Sequence, residues 1–129
     1  MGGIVLDDGI SRVVLTQVGS PALGFPTRIE VATGPFSASI EAEAWDYGRF
    51  LDALHRLHET LVGEAELSFI EGGHSLTLTG DGRGGVEAVI VVGDGQSPCY
   101  AALTIRMTLD QSYLPGIIQA VRREFVPHA

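Results

Sequence analysis

The chain has 129 residues and a formal charge of −8, from 16 acidic against 8 basic side chains, with 45% apolar residues. That length and apolar share predict one domain, residues 1–129, which buries its own core without metal or disulfide, and they exclude a disordered or low-complexity chain. The charge opposes binding to phosphate backbones, so nucleic acid is not expected as a ligand, whereas it speeds encounter with a basic protein and also serves plain solubility.

Ile4 to Leu6 and Ser11 to Val18 flank Asp7-Asp8-Gly9, a turn sequence between β-rich stretches, which predicts a hairpin. GSPALGFP then leads to a strand over Thr27 to Thr33, and Gly34-Pro35 turns the chain into Phe36 to Ala44. There Phe36, Ala38, Ile40, Ala42 and Ala44 alternate with Ser37, Ser39, Glu41 and Glu43, so one face is predicted dry and the other wet. Asp46 is placed to cap a helix whose Phe50, Leu51, Leu54, Leu57 and Leu61 recur at helical spacing, with Gly63 as its stop. Arg49, Asp52, Arg56 and Glu59 then face solvent.

Four further strands are predicted at Ala65 to Glu71, Ser75 to Thr79, Val86 to Val92 and Cys99 to Leu109, joined by EGGH, GDGRGG and GDGQSP. Asp110-Gln-Ser-Tyr-Leu-Pro opens a second helix with Ser112 as the expected cap, since Pro115 belongs in a first turn. Leu114, Ile117, Ile118, Val121 and Phe125 form its stripe. An offset of 64 lays Asp46 on Asp110 and Phe50, Leu54, Leu57 and Leu61 on Leu114, Ile118, Val121 and Phe125, which raises an internal pseudo-repeat as a hypothesis. The predicted class is α+β: a mostly antiparallel sheet of about eight strands in the order ββββα-ββββα, with both helices on one face.

No constellation for catalysis emerges. His55 and His58 lie three apart, not the four of a zinc-protease helix, so the expected arrangement is a solvated His55 and a His58 at the border of the stripe. Gly80 to Gly85 precedes a strand rather than a helix, which marks a hairpin turn and not a phosphate cradle. No serine sits in a Gly-x-Ser-x-Gly elbow, and Cys99 has no neighbouring cation, so it is expected to be a buried, inert thiol. Glu41 with Glu43, and Glu64 with Glu66, share wet strand faces that supply little of the desolvation acid–base chemistry needs. No catalytic residue, cofactor or metal is expected. The start MGGIVLDDGISR lacks the pattern of a signal peptide and no apolar run could span a bilayer, so a cytoplasmic protein without a membrane partner is expected. What stands out is an outward face carrying Glu30, Glu41 and Glu43 with Trp45 at its end, a candidate anchor for a basic partner; the competing role for Trp45 is a plug of the core.

DQSYLPGIIQAVRREF (Asp110 to Phe125), together with FSASIEAEAWDYGRFLDALHRLHETLVGEAELSF (Phe36 to Phe69), resembles WapI-type bacterial immunity proteins and a related actinobacterial family. The shared feature is a strand ending in Asp-Gln-Ser/Thr-Tyr-Leu that enters a C-terminal amphipathic helix. The resemblance implies a non-enzymatic protein that binds and neutralises a cognate toxin. The alternative reading is a small-ligand or enzymatic domain with a pocket between sheet and helices. A homodimer through the open sheet face or an edge strand is compatible with both.

Overall fold

A computed structural model describes residues 3–96 and 98–127, so the first two residues, Ser97 of the GDGQSP connection and the last two residues lie outside it. Eight strands form two antiparallel sheets of four, each in simple chain order. The first holds β1 (Ile4–Asp7), β2 (Ser11–Gln17), β3 (Phe25–Thr33) and β4 (Phe36–Ala44); the second holds β5 (Val62–Ser68), β6 (Ser75–Asp81), β7 (Gly85–Gly93) and β8 (Ala102–Asp110). Helix α1 (Tyr47–Thr60) follows the first sheet and α2 (Leu114–Phe125) follows the second. The order is thus ββββα-ββββα. The strands divide into two sheets, which meet at a corner through the bridge between Ala44 and Phe69.

Aspartates shape the tight turns, because a short carboxylate can accept from backbone amides two to four residues ahead. Asp8 Oδ1 accepts from the amides of Ile10 and Ser11 at 2.8 and 2.7 Å. In the Gly80 to Gly85 segment Asp81 Oδ1 accepts from Arg83 and Gly85 at 2.6 and 3.0 Å, closing the β6–β7 hairpin. These bonds favour the ionised acids: the Ser11 amide leads in holding Asp8 below the usual carboxylate value, and the Arg83 amide leads for Asp81.

Alternation along the strands gives each sheet one dry face, and those faces merge with the helix stripes into one core. Each helix packs on the opening strand of the sheet it does not follow: α1 against β5, α2 against β1, and the two helices against each other. Near that contact the Tyr47 and Phe125 rings stack with centroids 3.6 Å apart, and Phe25 meets both edge-on. Thr27 Oγ1 donates to the Phe25 carbonyl, so the buried Tyr47 hydroxyl, 2.9 Å away, donates to Thr27. Burial raises the Tyr47 phenol above its ordinary value.

Several boundaries differ from expectation. Asp46 caps α1 through the amides of Gly48 and Arg49, but the helix stops at Leu61, in left-handed backbone at φ 63°, and Gly63 lies in β5. Ser112 is not the cap of the second helix. Asp110 accepts from the Ser112 amide at 3.0 Å and starts a 3₁₀ turn over Gln111–Tyr113, after which α2 begins with Pro115 in its first turn. β5 spans Val62–Ser68, and β8 begins only at Ala102, because Asp94 draws the amides of Tyr100 and Ala101 into a loop at 3.1 and 3.0 Å. Cys99 sits on that loop and is exposed, not buried.

Candidate partner-binding surface

The outward row of β4 is built by the pleat. Register sets Ser39 opposite Glu30, Glu41 opposite Arg28 and Glu43 opposite Pro26 on β3. Arg28 reaches across to Glu41 at 2.9 Å, a pair open to solvent, so part of the row's charge is already met. Arg12 and Asp7 lie 3.9 Å apart on the same sheet. The face is therefore mixed in charge and not uniformly acidic.

The four predicted residues are exposed or half-exposed, but they line three separate depressions. Glu30 borders a shallow hollow of about 620 Å³ with Arg12, Val14, Ser37 and Ser39. Glu41 and Glu43 border a smaller one of about 280 Å³ with Ile70, Glu71, Gly72 and His74. Trp45 is 51% exposed, which rules out the core plug, and it lines a groove of about 370 Å³ with Arg49, Arg56 and Glu66 between α1 and β5. A further open depression of about 490 Å³ lies between β1 and the 3₁₀ turn and α2, lined by Gly3, Val5, Tyr113, Gly116, Ile117 and Arg123.

The inward row of β4 is less covered than its alternation suggested. Ala44 is buried, Ala38, Ile40 and Ala42 are half-buried, and Phe36 is 60% exposed. The row has little volume with which to fill a core, and it ends at the open mouth where Phe36 and Ala38 approach Val92 and Leu103.

His74 is the residue sequence reasoning missed. It is 5% exposed, its ring meets Phe69 edge-on, and its Nδ1 accepts the Gly93 amide at 3.0 Å. That bond requires an unprotonated Nδ1, so the neutral ring carries its proton on Nε2. Burial lowers its pKa, and the nearby Asp94 opposes this. The Gln96 amide leads the hydrogen bonds that lower Asp94 itself. The only signal in the sequence was a lone histidine after two glycines, which fits a turn equally well.

The histidines of α1 exchange the roles expected of them: His58 is exposed, whereas His55 is half-buried with Nε2 at 3.1 Å from an Arg122 terminal nitrogen on α2. The Arg122 Nε of the same side chain is buried without a hydrogen-bond partner among the described residues. Among the described residues no three of His, Cys, Asp and Glu are grouped to hold a metal ion, and no helix is long and apolar enough to cross a membrane.

The sequence pattern of the immunity protein WapI-like family matches residues 24–127, from the start of β3 to the end of α2. The chain belongs to that family. No curated protein and no solved structure matches it. The match takes in β3 as well as the Phe36 to Phe125 stretch that carried the resemblance, and it leaves the β1–β2 hairpin outside. Both strands that frame the outward face of this WapI-like protein, β3 and β4, thus lie within the family pattern.

Proposed function

We propose that this protein is a non-enzymatic immunity protein that binds a cognate toxin in the cytoplasm and neutralises it through its surface. The family match supports the class, and the observation that carries the docking site is the openness of β4. A strand with the alternation of a core element leaves Phe36 exposed and Ala38, Ile40 and Ala42 half-buried, and it is followed by a half-exposed tryptophan in a groove that holds Glu66 as well as Arg49 and Arg56. Aromatic anchors framed by complementary charge supply most of the energy at protein interfaces. A net charge of −8 would speed capture of a basic toxin domain.

Mixing the purified protein with the toxin domain encoded beside its gene tests the reading. A 1:1 complex is expected by light scattering. Substituting Glu41→Gln, Glu43→Gln and Trp45→Ala together should weaken it by about thirty-fold or more, roughly 2 kcal/mol. Unchanged affinity in the triple variant would remove this surface as the docking site.

A further inference from the structure

The 280 Å³ depression at the sheet corner has features that neither its acids nor its glycines explain alone. The Ile70 amide donates to the Glu43 carbonyl at 2.9 Å, which pins the 70–74 loop beside the end of β4, so Glu71 borders the same hollow as Glu41 and Glu43. Glu41 is held by Arg28, but the carboxylates of Glu43 and Glu71 form no ion pair or hydrogen bond with any described residue. His74 lies on the wall, nine-tenths buried, with no hydrogen-bond partner for its Nε2–H among the described residues. Gly72, at φ 93°, leaves that nitrogen uncovered, since a Cβ at this position would run into Nε2. Two carboxylates without partners among the described residues and a donor held in a fixed tautomer thus border one small hollow.

We propose that this hollow is the socket for a cationic side chain of the partner, an arginine or lysine, held between Glu43 and Glu71, with the His74 Nε2–H donating to a carbonyl of the same partner segment. The proposal rests on the toxin-binding reading and deepens it by naming the point of entry. The chemistry matches on both counts: paired carboxylates accept a guanidinium or ammonium, and a neutral imidazole supplies the donor a carbonyl needs without adding positive charge beside the incoming cation. Half-burial of Glu43 lowers the screening that makes fully exposed ion pairs weak.

The test has two arms, both on the full-length chain. In the first, N-acetyl-arginine amide is titrated into ¹⁵N-labelled protein, with N-acetyl-glutamine amide as the uncharged comparison. Saturable amide shifts at Glu43, Glu71, Gly72 and Gly95, produced by the cation alone and lost in the double variant Glu43→Gln/Glu71→Gln, are expected. Shifts that scatter over the surface, or persist in the double variant, overturn the socket. In the second arm the neighbouring toxin domain is bound to wild type, to the double variant and to Glu64→Gln on the second sheet, each first shown to melt like wild type. The double variant should lose about ten-fold or more in affinity and most of its salt dependence, while Glu64→Gln changes little. Equal effects of the two variants overturn the proposal. A toxin domain that fails to bind the wild type overturns the toxin reading, and the arginine titration then decides the socket alone.

Discussion

β4 and β8 hold the same place in their sheets. Each is the last of four strands and nine residues long; Asp46, two residues past β4, caps α1, and Asp110, the last residue of β8, caps the 3₁₀ turn. Their inward rows have different fates. Ile105, Met107 and Leu109 of β8 are buried and only Leu103, at the shared mouth, is half-buried, whereas β4 sets two alanines, an isoleucine and a phenylalanine along a flank that stays half open before Ala44 closes it. Equal alternation therefore does not mean equal burial, because side-chain volume and the neighbouring element decide whether an inward row is sealed. In this protein the unsealed row lies beside the acidic hollow, and the sealed one serves stability.

Truncation should separate the two strands most clearly. Ile105→Ala is expected to cost about 2–5 kcal/mol, as for buried aliphatic side chains generally, and Ile40→Ala below about 2 kcal/mol because its site is already half open. Urea titrations of both variants read this directly, and equal losses would remove the distinction between the strands. Next in size, Tyr47→Phe should cost about 1 kcal/mol through the lost bond to Thr27, since that oxygen keeps its own bond to the Phe25 carbonyl.

The corner beside β4 should also be the acid-sensitive part. Burial keeps the folded His74 below its ordinary value of 6.5, so as pH falls the unfolded chain binds this proton first. The contribution of His74 is whole above about pH 6.5 and is lost as pH falls below that toward the folded value. Protonation would also displace the Gly93 amide from Nδ1, next to Asp94 and the carboxylates of Glu41, Glu43 and Glu71. Melting temperatures between pH 8 and 5 should fall for wild type and fall less for His74→Gln. The smallest effect is expected for Arg28→Met, which breaks an exposed pair: between 0 and about 1 kcal/mol, shrinking as salt is raised.

Much of the fold was legible in the residues. Period-two and helical spacing placed every strand and both helices, and the Asp8, Asp81 and Asp46 turns and caps followed from their positions next to glycines or helix starts. The boundaries that moved did so through bonds that spacing does not report: the left-handed Leu61 gives its carbonyl to the Gly82 amide of the β6–β7 turn at 2.8 Å, and Asp94 pulls Tyr100 and Ala101 out of a strand-like run. The division into two sheets was not readable, because it depends on a single bridge at Ala44 and Phe69. Of the candidate surface, Glu30, Glu41, Glu43 and Trp45 were found as a row, but their distribution over three depressions comes from the 70–74 loop and α1, which approach from elsewhere in the chain. His74 gave no periodic signal at all, and its role exists only through Gly93, nineteen residues later.

Hydrogen–deuterium exchange of the protein alone and with the toxin domain encoded beside its gene tests the central claim most directly. The account predicts new protection concentrated on Phe36–Ala44 and residues 70–74, with β8 unchanged. Protection centred on β8 or α2, or none on β4, would contradict it.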